Sequence, residues 1–111
     1  MTEPTIDLAT FKELQDTAGA DFVVELVSTF LEEAPTMLAE LSSAQAAQAA
    51  DRFRRAAHSL KSNSHTFGAV ALGEMARALE LGGLTADTAP IDEIAAEYER
   101  VAAALKRLSH G

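Results

Sequence analysis

The sequence predicts an all-α protein: an antiparallel four-helix bundle with an additional short N-terminal helix. Apolar residues recur every three or four positions over four long stretches, the spacing that lines one face of a helix. Alanine is abundant, tryptophan is absent and runs of β-branched residues are scarce, which favours helix over strand. The connections between the periodic stretches are short, and long amphipathic helices joined that way pack antiparallel.

Residues 1–6 read as a loose lead-in. Asp7 can cap a short helix with Leu8, Phe11 and Leu14 on one face, ending before Gly19. The next helix starts near Asp21 and carries Val23, Val27, Phe30, Leu31, Ala34, Leu38 and Leu41. Pro35 interrupts it, yet the apolar stripe keeps its phase across the proline, so one kinked helix to about residue 46 is expected rather than two. A third helix opens at Asp51 or a neighbour, buries Phe53, Ala56, Ala57, Leu60, Ser64 and Phe67 on one arc, and stops at Gly68. A fourth, about 69–81, sets Leu72, Met75, Ala76 and Leu79 on a stripe and ends at Gly82-Gly83, with residues 84–89 as a linker. The last begins around Pro90 and runs some five turns through Ile94, Tyr98, Val101 and Leu105, with acids at its start and bases near its end to suit the helix dipole.

A chain of 111 residues makes a single domain with one core and leaves no room for an ATP-binding kinase domain. It contains no cysteine, which excludes disulfides, thiolate nucleophiles and cysteine-based zinc sites. No apolar run is long enough for a bilayer, and MTEPTID lacks the basic-then-apolar pattern of a signal peptide, so a cytoplasmic protein with no membrane partner is expected. A net charge of -8 argues against nucleic acid, whose phosphates require a basic footprint. Between Arg52 and Gly73, however, there is no acid at all, while Arg52, Arg54, Arg55 and Lys61 fall there. Such a local basic patch suits docking of an acidic partner.

That patch surrounds a histidine. His58 projects away from the buried arc, in a band with Arg54, Arg55, Lys61, Ser62 and His65. A solvated ring nitrogen, a cation one turn away and small neighbours are what a site holding phosphate on nitrogen needs. His58 and His65 make a poor metal pair: they stand two turns apart and no carboxylate lies near them in sequence. His110 sits at the C-terminus, and adjacent acids such as Glu32-Glu33 diverge on a helix instead of pairing.

The segment AHSLKSNSHTFGA resembles the signature of histidine phosphotransfer (HPt) domains, in which the phosphoacceptor His is followed by x-Leu-Lys-Gly, small residues and, about ten positions on, Gly-Ala. His58, Leu60, Lys61, Ser64, Gly68 and Ala69 match, and Ser62 and Asn63 replace the usual Gly and small residue. The resemblance implies that His58 accepts a phosphoryl group, through Nε2, from a receiver-domain phosphoaspartate or a kinase phosphohistidine, and passes it to another receiver. Lys61 would offset the phosphate charge, and Arg54, Arg55, Ser62 and His65 would line the docking surface. No cofactor of its own is implied, Mg²⁺ being expected on the partner receiver. Partners would be response-regulator receivers and a histidine or hybrid kinase. Glu80 lies near the offset at which some family members place a Gln that contacts the active-site region, and its sequence context favours neither contact nor solvation.

Two alternatives remain open at this level. A kinase dimerisation and phosphoacceptor module also exposes a His, but it usually has an acid directly after that His, where this chain has Ser59, and needs two chains to complete four helices. Since one chain here offers four, a monomer is expected. An interaction-only helical bundle would dock partners without phosphate chemistry.

Overall fold

The structure, a computed structural model, describes residues 5–84 and 87–110, with only the backbone described at His110. Among these residues every element is helical: α1 (Leu8–Ala18), α2 (Ala20–Ala46), α3 (Ala50–Thr66), α4 (Val70–Gly82) and α5 (Ala89–His110). Helix α2 packs on α3 and α5, α4 packs on the same two, and α1 leans on α2 and α3. The four longer helices thus close a ring around one core, filled by Leu41, Phe53, Leu60, Leu72, Ile94 and Leu105. The whole arc anticipated on α3 is buried, including Ser64, whose hydroxyl donates to the Leu60 carbonyl at 2.6 Å and so carries no unpaired polar group into the core.

Pro35 lies inside α2, which continues as a single helix through it. Proline has no N–H, so the Leu31 carbonyl four residues back loses its helical donor. The Tyr98 hydroxyl of α5 donates to that carbonyl at 3.3 Å. Burial, with a smaller contribution from Glu99, pushes the Tyr98 pKa up, so the phenol keeps the proton it donates. Its ring also meets Phe30, which in turn meets Phe67, joining α2, α5 and the end of α3.

Two helix ends close the same way. After α3, Gly68 takes φ +80°, its N–H donates to the His65 carbonyl and the Ala69 N–H to the Ser64 carbonyl. This is a Schellman motif, which satisfies carbonyls left over at a helix C-terminus. After α2 the pattern repeats with Gln48 at φ 55°, its N–H on Gln45 and that of Ala49 on Ala44. A glutamine there bears a left-handed strain of about 1–2 kcal/mol, and without a glycine the sequence alone places that end only loosely.

The N-terminus departs from expectation. Residues 1–4 of the anticipated lead-in lie outside the described residues, as do 85 and 86 of the linker, but Thr5 and Ile6 are buried, Ile6 to 1% exposure. The Asp7 N–H donates to the Gly68 carbonyl at 2.7 Å, drawing Ile6 into the core and leaving Leu8 outside at 53% exposure. Asp7 sits at the N-cap of α1, yet its carboxylate accepts from the Thr10 hydroxyl rather than from a helix N–H.

Gly68 is therefore required twice, for its left-handed backbone and because a Cβ there would stand 2.8 Å from the Asp7 carbonyl oxygen and 3.1 Å from Thr10 Cβ. Gly68→Ala is expected to cost about 2 kcal/mol or more, the left-handed backbone accounting for about 1–2 kcal/mol and the close approach of Asp7 for the rest. Urea denaturation midpoints measure the cost, and a loss of about 1 kcal/mol or less would mean that the Asp7 approach contributes nothing. Tyr98→Phe should cost about 1 kcal/mol in the natural chain and less beside Pro35→Ala, which restores an N–H at that position. A double-mutant cycle with no coupling would break the link between proline and tyrosine.

Candidate histidine site on α3 and α4

The Schellman turn at Gly68 folds α4 back against α3, and the two helices meet along most of α4. This brings Glu80, near the C-terminal end of α4, beside the exposed band of α3. His58 is 56% exposed, and its Nδ1 lies 2.8 Å from Glu80 Oε2. Lys61, one turn further along α3, places Nζ 2.8 Å from Glu80 Oε1. Glu80 itself is only 16% exposed. One carboxylate thus binds the imidazole with one oxygen and the ammonium with the other.

The electrostatics follow from that geometry. The contact with Lys61, then that with His58, holds the Glu80 carboxyl below the usual carboxylate range, while partial burial pulls the other way. An ionised carboxylate only accepts hydrogen bonds, so the proton between it and the ring belongs to Nδ1. In the neutral ring Nε2 then carries the lone pair, and among the described residues nothing hydrogen-bonds it. The arrangement is a nucleophilic nitrogen open to solvent, oriented from behind, with a cation beside it.

The remaining band residues are less uniform than their spacing suggests. Arg52 is engaged by Glu40 of α2 through two contacts of 2.8 and 2.9 Å, and Arg54 lies 3.6 Å from Asp51. With Lys61 held by Glu80, the basic patch read from the sequence is largely neutralised by acids from other turns and other helices. Arg55 and Ser62 are exposed, Arg55 donating to the Asp51 carbonyl of its own helix. A groove of about 360 Å³ between α2 and α3, floored by Met37 and Ala56, opens beside Arg55 and Ser59. His65 leans on α4: its ring rests against Gly73, where any Cβ would collide with it, and Nε2 lies 3.6 Å from Glu74. It is a contact between helices as well as part of the exposed face. Asn63 donates to the Ser59 carbonyl at 2.9 Å and does not reach the ring. Among the described residues no group of three or more acids and histidines is placed to hold a metal.

The family model of the Hpt domain matches residues 25–104. The chain belongs to the Hpt domain family. It is similar over 98% of its length, at 27% identity and a TM-score of 0.90, to the crystal structure of histidine-containing phosphotransfer protein B from Pseudomonas aeruginosa PAO1, 97% of which is covered. A comparison with curated proteins gives no match. The Hpt match begins inside α2, whereas the structural likeness takes in α1 as well. Glu80 is the residue that sequence reasoning left undecided, its one signal being its offset from His58.

A glutamate whose pKa is depressed in the fold adds stability that is present above its unfolded value and is lost as pH falls through the lower folded value. Carbon-detected NMR should therefore give Glu80 a titration midpoint below that of glutamate in an unstructured peptide. In Lys61→Met the midpoint should rise, since Lys61 is the largest cause of the depression. An unmoved midpoint would mean that the ammonium does not bind Glu80 in solution.

Proposed function

We propose that this Hpt domain is a phosphorelay intermediate that carries a phosphoryl group on His58 Nε2, between receiver-domain aspartates and a histidine or hybrid kinase. The single observation behind the assignment is the exposed imidazole whose Nδ1 is occupied by Glu80, leaving Nε2 as the one ring nitrogen with a lone pair toward solvent. In the forward step Nε2 attacks phosphorus in line, the P–N bond forms, and the P–O bond to the donor aspartate breaks with its electron pair leaving on the carboxylate. Lys61, one turn from His58 and paired with Glu80, shares its charge between that carboxylate and the incoming phosphate oxygens. Arg54, Arg55, Ser62 and His65 rim the histidine as docking contacts.

The scaffold is read as one domain, an antiparallel four-helix bundle with α1 as the extra helix, acting as a monomeric cytoplasmic phosphocarrier without kinase or phosphatase activity of its own. Mg²⁺, where transfer uses it, belongs to the acidic pocket of the receiver. No helix among the described residues is long and apolar enough to cross a membrane.

Incubation with phosphorylated receivers and kinases from the same source should place acid-labile, base-stable phosphate on the wild type and none on His58→Gln. Lys61→Met should still be labelled, but about tenfold more slowly, the cost of losing one charge-assisted contact. Undiminished label on His58→Gln would overturn the assignment.

A further inference from the structure

Glu80 touches the ring nitrogen that phosphate does not use, and a carboxylate, unlike an amide, has no proton to give. Before phosphorylation that restriction selects the tautomer with its lone pair on Nε2. Its consequence after phosphorylation is larger. With phosphorus on Nε2, Nδ1 could either keep its proton, making the ring a cation, or lose it and turn a lone pair toward Glu80. A lone pair 2.8 Å from a carboxylate oxygen is repelled by it, while an N–H at that distance makes a charge-assisted hydrogen bond.

We infer that Glu80 keeps the Nδ1 proton in place throughout the phosphoryl cycle, so that phosphohistidine at position 58 is held as its protonated, readily cleaved form. This rests on the phosphorelay reading of His58. When the group moves on, an acceptor carboxylate oxygen bonds to phosphorus and the P–Nε2 bond breaks. The bonding pair returns to Nε2, and the ring departs as neutral imidazole with Nδ1–H intact. Were Nδ1 bare, the same cleavage would expel an imidazolate anion, a far poorer leaving group. The same proton stays on the same nitrogen in both directions, and no base elsewhere has to remove or return it. Glu80 is thus a positioning residue that sets how easily the phosphate leaves.

The surrounding charges bear on this balance. On α3, Lys61 and the arginines one turn back, Arg54 and Arg55, would oppose a cationic ring, as would Arg77, one turn before Glu80 on α4. Lys61 is spent on Glu80 at 2.8 Å, and Arg54 lies toward Asp51. On the α2 side, Glu40 is held by Arg52, and Glu74 lies by His65. Of these groups Glu80 alone contacts the His58 ring.

The test uses the full chain phosphorylated with phosphoramidate, freed of donor, and followed by phosphorus NMR as phosphohistidine hydrolyses between about pH 6 and 10. In the wild type the labile, low-pH behaviour should persist to a pH at least about one unit higher than in Glu80→Gln, as expected for removing a charge at this distance. Above both midpoints the phosphorylated variant should live roughly tenfold longer. Glu80→Ala should match Glu80→Gln in midpoint. Because freeing Lys61 would also oppose the cationic ring, the same comparison is made between Lys61→Met and Lys61→Met/Glu80→Gln, where the wild-type sense of the midpoint difference should persist. Superimposable pH profiles would overturn the role of Glu80 while leaving the relay intact. Equal phosphohistidine in wild type and His58→Gln would instead remove the relay reading itself.

Discussion

The exposed face of α3 is organised by a contact with a different helix, the carboxylate of Glu80 reaching from α4 to accept from His58 with one oxygen and to pair with the Lys61 ammonium through the other. Without it, an imidazole on a solvated helix face would rotate freely and exchange its proton between two nitrogens. With it, the ring has one orientation and one tautomer, and the ammonium stays within reach of whatever binds Nε2. The negative charge is tolerable in its partly sheltered place because two cationic or proton-donating groups meet it there.

That contact depends in turn on how α3 gives way to α4. The Schellman turn at Gly68 sets the register in which α4 returns, and Asp7 locks the turn from outside by taking the Gly68 carbonyl. The aromatic contacts of Phe30 with Phe67 and Tyr98 secure the same region from within. The site thus rests on rigid elements, with its acidic and basic members on two helices whose relative placement is fixed by a glycine.

Charge is distributed with similar economy. The protein is strongly acidic, yet the acid-free stretch of α3 projects less basic charge than it contains, because Glu40, Asp51 and Glu80 engage Arg52, Arg54 and Lys61. What the face presents is an open nitrogen among small and polar side chains, beside a shallow groove floored by Met37 and Ala56. Such a surface suits a nucleophile that must be entered by a partner's pocket rather than one that encloses its own substrate.

The sequence by itself determined the helical class, the buried arc of α3, the outward direction of His58, the stop at Gly68 and the continuity of α2 through Pro35. All of these are written in local periodicity and in the backbone preferences of glycine and proline. Tertiary structure alone decided that Ile6 enters the core while Leu8 does not, that Gln48 turns α2 without a glycine, that the Tyr98 hydroxyl serves the carbonyl Pro35 leaves unpaired, and that Glu80 completes the site. The physical reason is common to them: periodicity reports which face of a helix is buried, but not which residue of another helix will stand opposite it, and a hydrogen bond spanning 22 positions from His58 to Glu80 exists only once packing has fixed both ends.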